Sequence, residues 1–571
     1  MTNAEIAAVF EEVADLLEFQ GANPFRIRAY RNAARTIADL PESAATIVAA
    51  GGDLSTTRGI GRDLAGKVAE LVSSGRLAML EELLAEVPES VLALLRVPNL
   101  GPKRAAMLHR ELGIDSLEGL RAACEAGQVR GLKGFGAKTE AKILDGLALA
   151  ATAAERTLWA RADEIARELI EYLSAAGGIA EIELAGSFRR GRETVGDLDI
   201  LVVTDDVAAV MDRFGAYRSV AERLGRGETK MSVRLENHLQ VDLRAVPAES
   251  FGAAMQYFTG SKDHNVVLRT LARERGLKIN EYGVFRGEDR IAGRTEEEVY
   301  AALDLPWIPP ELREARQEFA WAEAGTLPRL VEVRDLRGDL HMHSTWSDGM
   351  ATIEEMARAA QERGLKYIAI TDHSKRVAMA GGLSGDALRR QWEEVERVNK
   401  ALKGIRVLKG VEVDILEQGG LDIEDEVLAQ ADWVVASVHY GQSQPLERIT
   451  RRIVDALAHP SVSAIAHPTG RLIGERNPYQ VDMDAVIAAA RRHGKCLELN
   501  AHPRRLDLTD VACAAAKAAG VPVVIATDAH NIGGLDAIRY GVLQARRGGL
   551  TAADVANTRS WPELKKRIGK R

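Results

Sequence analysis

Gly186-Ser187-Phe188-Arg189-Arg190-Gly191-Arg192-Glu193-Thr194-Val195-Gly196-Asp197-Leu198-Asp199-Ile200 is the stretch around which the rest of the chain is organised. Asp197 and Asp199 are two apart in a strand-like segment, so both point to one face. Val241-Asp242-Leu243-Arg244 supplies a third aspartate on a second strand. Three hard carboxylates can hold two Mg²⁺ (or Mn²⁺) ions and leave positions open for phosphate oxygens and water. Gly186-Ser187 ahead of a helix can receive a terminal triphosphate through N–H groups and a hydroxyl, with Arg190 adding charge. An Asp-x-Asp pair alone reads more readily as an exposed strand face. Joined to the upstream Gly-Ser and the third aspartate, it points to nucleotidyl transfer.

Outward from this centre, residues 155–245 alternate helix and strand, with strands over 182–185, 197–203 and 239–246. Residues 248–317 are mixed. Pro306, Pro309, Pro310 and Pro328 punctuate a segment read as a linker over 318–334. Beyond it, apolar runs at 338–342, 367–371, 406–415, 433–438, 463–466, 496–501 and 522–527 alternate with helical stretches. This predicts a βα barrel with seven strands. Nine of the 12 histidines lie at or after His341. His341, His343, Asp348, His373, Glu412, His439, His467, Asp528 and His530 fall at or just past the C-terminal strand ends, the active face of such a barrel. Mixed nitrogen and oxygen donors suit two or three Mn²⁺, Zn²⁺ or Fe²⁺ ions and argue against Ca²⁺. Such ions can drive in-line attack on phosphorus. His459, His493 and His502 stand outside the set.

Residues 1–95 read as helices. A Gly-x-Gly turn leads into a helix at Gly59–Gly61, the pattern recurs at Gly134–Gly136, and Gly101 precedes a third helix beginning near Lys103. Glycines let backbone approach phosphate, and helix starts present free N–H groups. One such turn is as readily a packing device; three point to helix-hairpin-helix grips on a nucleic-acid backbone. Residues 96–150 hold nine Lys/Arg against six Asp/Glu, a modest basic patch in an acidic chain. Gly59, Gly61, Gly101, Lys103, Gly134, Gly136 and Lys138 are the candidate DNA contacts here, and they read no sequence.

The 186–200 stretch resembles the active-site motif of family X DNA polymerases, the polymerase-beta type. The resemblance runs over about 1–317. It implies catalytic and metal-holding roles for Asp197, Asp199 and Asp242. It also implies nucleotide-binding roles for Gly186, Ser187, Arg190, Gly196, Tyr257, Phe258, Gly260 and Asn265, and DNA contacts by Arg244 and Arg269. Lys278-Ile279-Asn280-Glu281-Tyr282 and the 306–313 segment match as well. Gln240, Lys262 and Val195 depart from an arginine, an aspartate and a serine of the beta member. Lys67 stands at the spacing of the family's Schiff-base lysine for deoxyribose-phosphate removal. Two of the pocket positions beside it (Phe25, Arg26 and Asp63) lack the family's positive or polar character, and a structural or DNA-facing lysine is the other reading. Residues 335–571 resemble the PHP (polymerase and histidinol phosphatase) domain.

Together these imply an 8-kDa-like region (1–95), fingers (96–152), palm (153–247), thumb (248–317), linker (318–334) and PHP barrel (335–571). The implied activity is gap-filling DNA synthesis in base-excision repair. It comes with a 3′→5′ exonuclease and, by the same hydrolytic chemistry, AP endonuclease or 3′-phosphatase activity. Gapped or nicked DNA and deoxynucleoside triphosphates are the expected partners. A DNA-end-binding phosphoesterase on an inactive polymerase scaffold is the rival reading; a small-molecule phosphatase is a third.

The 571 residues carry 75 basic against 83 acidic side chains, a net charge of −8, with 46% hydrophobic residues. That excludes wholesale disorder and a polycation. Three cysteines exclude a disulfide framework. No basic leader and no apolar run of membrane-spanning length is present, so a cytoplasmic protein is expected; a monomer is the expected assembly.

Overall fold

The computed structural model describes residues 3–38, 44–57, 59–86, 94, 97, 100, 102–132, 134–137, 139–141, 143–144, 147, 156–175, 177–473, 476 and 478–569. The chain divides into two compact units, Met1–Glu155 and Arg156–Arg571.

The first unit is helical. Ile6, Phe10, Val13 and Leu17 recur at helical spacing on Asn3–Phe19 and bury one stripe. The same core takes in Leu120, Phe135 and Ile143, and the Phe19 ring sits 5.7 Å from that of His109. The expected parts 1–95 and 96–152 therefore share one apolar core. Three turns repeat the same backbone bonds. Thr57 N–H donates to Leu54 O and Ile60 N–H to Thr57 O; Val97 to Leu94 and Leu100 to Val97; Leu132 to Val129 and Phe135 to Leu132. Leu54, Leu94 and Val129 are buried at one end of each turn, and Ile60, Leu100 and Phe135 at the other.

The second unit begins with a five-stranded sheet. Its strands are β1 (Ile179–Leu184), β2 (Asp197–Thr204), β3 (Val220–Arg226), β4 (Lys230–Leu235) and β5 (Gln240–Ala245), in the order β1-β2-β5-β4-β3. β2 and β5 run parallel with Asp199 opposite Asp242. The β3–β4 pair was not anticipated: Val220–Arg226 is mostly exposed and lacks apolar alternation, although Met231, Val233 and Leu235 alternate with polar residues on β4 and did carry a readable strand signal.

Helices Phe251–Thr259 and Lys262–Glu274 follow, then an antiparallel sheet of β6 (Lys278–Asn280), β7 (Gly283–Arg286) and β8 (Asp289–Ala292). A methyl group on Gly252 would lie 2.1 Å from the Thr295 carbonyl carbon. Gly252→Ala is therefore expected to lower stability by about 1–3 kcal/mol, read in a urea melt; an unshifted midpoint would contradict this contact.

The linker expected over 318–334 is packed chain. Glu318–Glu323 is a helix whose Phe319 and Ala322 join the Leu268 and Tyr300 core. Val331 N–H donates to Leu550 O at 2.9 Å. The prolines restrict the backbone of this crossing without releasing it from the core.

Seven strands complete the unit: β9 (Gly338–Asp339), β10 (Tyr367–Ile370), β11 (Arg406–Asp414), β12 (Trp433–Ser437), β13 (Ala464–Ile465), β14 (Cys496–Asn500) and β15 (Val523–Ala526). All are parallel and neighbour one another in sequence order. β10, β12, β14 and β15 are buried throughout, as parallel strands covered on both faces should be. Beyond the ends of β9 and β15, Met342 bridges Ala529, His343 N–H donates to Ala529 O at 2.8 Å, and Asp528 N–H donates to His341 O at 2.9 Å. The barrel is nearly closed by this seam. No helix among the described residues is long and apolar enough to cross a membrane.

Candidate active sites

At the five-stranded sheet, the turn after β1 packs directly on the aspartates. Gly186 has φ +63°, and a Cβ there would lie 2.5 Å from Asp199 Oδ2, so only glycine fits. Burial first, then Asp197 and Asp242, push the Asp199 carboxyl up to about 7. Asp197 is raised by burial and then by Asp242, against the opposing charges of Arg156, Lys230 and Arg190. Burial would raise Asp242 too, but hydrogen bonds from Lys230, Ser232 and Gln240 outweigh it and lower its pKa. Lys230 Nζ lies 2.6 Å from Asp242 Oδ2, and Gln240 Nε2 is 3.0 Å from Oδ1. Mutual repulsion of carboxylates is the electrostatic condition a divalent cation relieves.

The other palm and thumb candidates are engaged with one another. Arg190 Nε lies 3.2 Å from Glu314 Oε1, and its guanidinium also donates to Thr259 O. Asn265 is buried; its amide donates to Tyr257 O at 2.7 Å and accepts from Gln256 at 2.7 Å. It thus braces the Tyr257–Gly260 turn from inside. The Arg244 guanidinium stacks 4.5 Å from the Phe258 ring centroid. Arg269 is exposed. Gly196 is exposed beside Arg156.

In the first unit, Gly59, Gly61, Gly134 and Gly136 are exposed, and a Cβ on Gly61, Gly134 or Gly136 would meet nothing within 4 Å. Those backbones are open to a phosphate chain. Gly101, Lys138 and the Lys103 side chain lie outside the described residues. Lys67 Nζ sits 2.7 Å from Asp63 Oδ1. Burial opposes its charge, but Asp63 and Tyr30 outweigh burial and raise its pKa. A raised pKa is the opposite of what amine attack on an aldehyde requires.

In the barrel, the nine predicted ligands converge. His343, Asp348, His373 and His530 form one group able to hold an ion, His341, His343 and Asp528 a second, and His373, Glu412 and His439 a third. His467 joins through Glu412, 3.1 Å away. His341 Nε2, His343 Nδ1 and Glu412 Oε2 are buried without a hydrogen-bond partner, as atoms that would serve as metal donors are expected to be. Burial disfavours charge on His373 and His439. Glu412 outweighs it in both, with Asp348 helping at His373 and Asp414 at His439, and holds them up to about 10 and about 9. His343, buried and beside His373, falls to about 3. The carboxylates thus demand positive charge at the centre, and the donor set fits divalent first-row ions.

Two further carboxylates orient these ligands and were missed in the sequence. Glu498 lies 2.6 Å from His341 Nδ1 and accepts from His467 N–H. Asp414 lies 3.2 Å from His439 Nδ1. The signal was present: Asp414 is two residues past Glu412 on β11 and shares its face. His502 lines a cavity of about 350 Å³ with Asp528, His530 and Asn531.

Compared with known proteins, residues 254–314 match the DNA polymerase beta thumb and residues 339–502 the PHP domain. Residues 1–77 match a helix-hairpin-helix domain, and 91–149 a SAM-like helix-hairpin-helix tandem. The chain is 42% identical over 568 residues to the DNA polymerase/3′-5′ exonuclease PolX of Bacillus subtilis (strain 168), which covers 99% of each protein. A probable phosphatase of Thermoanaerobacter sp. (strain X514) is 31% identical over 232 residues, 38% of this chain and 89% of that protein. A probable phosphatase of Acetivibrio thermocellus is 36% identical over 169 residues, 29% of this chain and 65% of that protein. With a polymerase-type thumb and a PHP barrel on one chain and identity running end to end, the chain belongs to the bacterial family X DNA polymerases that carry a C-terminal PHP domain.

Proposed function

We propose that the chain is a DNA-directed DNA polymerase that fills short gaps during base-excision repair. Its barrel trims DNA 3′ ends as a 3′→5′ exonuclease, with AP endonuclease or 3′-phosphatase activity drawing on the same hydrolytic site. The observation that carries the synthetic half is Asp199 opposite Asp242, with Asp197 on the same strand and the Gly186 turn seated on Asp199. Divalent ions, when bound, supply the charge that acidifies a primer 3′-hydroxyl at the aspartates and activates water at the barrel cluster. Asp197 and Asp199 would hold both palm ions as Mg²⁺, and Asp242 the one nearer the primer. The nine barrel ligands would hold two or three Mn²⁺, Zn²⁺ or Fe²⁺. Ser187 and the N–H groups that follow Gly186 receive the triphosphate. Tyr257, Phe258 and Gly260 flank the sugar. The glycine turns grip the backbone of gapped or nicked DNA without reading sequence, and the chain works as a cytoplasmic monomer.

The test is 5′-labelled DNA with a single-nucleotide gap, with and without nucleotides, in Mg²⁺ or Mn²⁺. Asp197→Ala/Asp199→Ala should lose extension and keep shortening; His341→Ala/His343→Ala should do the reverse. Extension surviving in the aspartate variant would take synthesis away from these aspartates, and a wild type that shortens but never extends would favour the inactive-scaffold reading.

A pH dependence follows from Asp199. A carboxyl raised to about 7 is protonated below that pH and must lose its proton to take a cation. Half-saturating Mg²⁺ for extension should therefore fall as pH rises from about 6 to about 8. A flat dependence would rule out proton competition at this aspartate.

A further inference from the structure

The barrel does more than share a chain with the palm. Its Ile538–Arg547 helix presents Tyr540, Leu543, Gln544 and Arg547, spaced as one face of a helix. Leu543, Gln544 and Arg547 meet the segment that carries the triphosphate turn directly, and Tyr540 reaches it through Trp159. The Tyr540 ring lies 5.7 Å from Trp159, whose indole stacks 4.7 Å from Phe188 and donates to Phe188 O at 2.8 Å. Leu543 fills the space where a Cβ on Gly191 would be, 2.5 Å away. Gln544 donates to Glu193 Oε1 at 2.6 Å. Arg547 Nη1 donates to the Arg190 carbonyl at 2.7 Å and to Glu314 Oε1 at 2.9 Å, and Nη2 to Asp510 Oδ2 at 2.8 Å. Glu314 Oε1 is the same oxygen that receives Arg190 Nε.

We propose that Arg547 is a positioning residue for nucleotide incorporation: from the barrel it fixes the Arg190 backbone and, through Glu314, the Arg190 side chain, and so sets the triphosphate turn against Asp199. The turn is held from two sides. Gly186 abuts Asp199 on one; the barrel helix grips Arg190 to Glu193 on the other. A guanidinium fork reaches a carbonyl and two carboxylates at once, and an ammonium has no such planar geometry. Small displacements of a phosphate-receiving turn are costly in rate. The inference rests on the polymerase reading above.

The test uses the full chain. Arg547→Lys, Arg547→Met and Gln544→Met are compared with wild type for nucleotide KM and kcat on single-gap DNA, for shortening of single-stranded 3′ ends, and for melting temperature. The expected result is a nucleotide KM raised about tenfold in Arg547→Met, with shortening within about twofold of wild type. Arg547→Lys should recover melting temperature but not KM, a split that a merely structural arginine would not produce. Gln544→Met should raise KM in the same direction. If Arg547→Met does not fold, Arg547→Lys and Gln544→Met decide. An unchanged KM in these soluble variants, or extension and shortening falling in proportion, overturns the proposal. Failure of wild type to extend at all would instead overturn the polymerase reading.

Discussion

Replacing Glu412 with glutamine is expected to cut removal of 3′-terminal nucleotides by about three orders of magnitude, with gap filling within about twofold of wild type. The reason is geometric. Glu412 is buried, and its two oxygens lie 2.7 Å from His373, 3.1 Å from His467, 3.4 Å from His439, 3.6 Å from His341 and 3.8 Å from His343. No other carboxylate of the cluster faces five imidazoles. Burial would keep its proton on, yet His373, His439 and His341 outweigh burial and hold its pKa well below the usual carboxylate range. Glutamine keeps the shape and removes the charge, so bound metal should fall together with hydrolysis. Metal content of the dialysed variant is the check. Wild-type metal and wild-type shortening would show that Glu412 does not help hold the ions.

The second large effect concerns stability. Glu296 lies 2.6 Å from Arg313 Nη1, accepts both Arg189 terminal nitrogens at 2.7 and 2.8 Å, and accepts from Trp307 Nε1 at 2.9 Å. Arg313 is fully buried. Glu296→Ala should cost about 3–5 kcal/mol, because it leaves a desolvated guanidinium uncompensated. A loss below about 1 kcal/mol in a urea melt would mean the charge finds another partner. Burial opposes ionisation of Glu296, but Arg313 and Arg189 outweigh it and lower the carboxyl to about 2. A depressed carboxyl contributes stability that is full above its unfolded pKa and fades as pH falls through the folded one. The gap between wild type and Glu296→Gln should therefore shrink between about pH 4.5 and about pH 2.

What was legible in the sequence was what local chemistry forces. Strands buried on both faces had to be apolar runs, and all seven barrel strands were readable as such. Ligands that must sit at strand ends announced themselves by residue type. Glycines whose backbones stay open marked the turns of the first unit. Less legible were features set by distant neighbours. β3 carries its charges outward and leaves no period to read. Lys230 is an ordinary lysine until β4 lies against β5 and brings it to Asp242. Asn265 reads as an outward contact until Tyr257 and Gln256 take both ends of its amide. The prolines before 335 suggested loose chain, although Phe319 and Leu330 anchor that segment in the thumb core.

The barrel seam has a thermodynamic consequence. His341 and His343 follow the first strand, and Asp528 and His530 follow the last; one bridge, Met342 to Ala529, joins them. An ion shared by His341, His343 and Asp528 would fasten the two ends of the sheet like a buckle. Part of the free energy of filling the cluster then goes into keeping the ring shut. Ion occupancy and closure of the barrel are then linked, the ions adding to the bonds from Thr527 to Asp339 and from Asn557 to Gly338 and Ile525 that already join the two end strands.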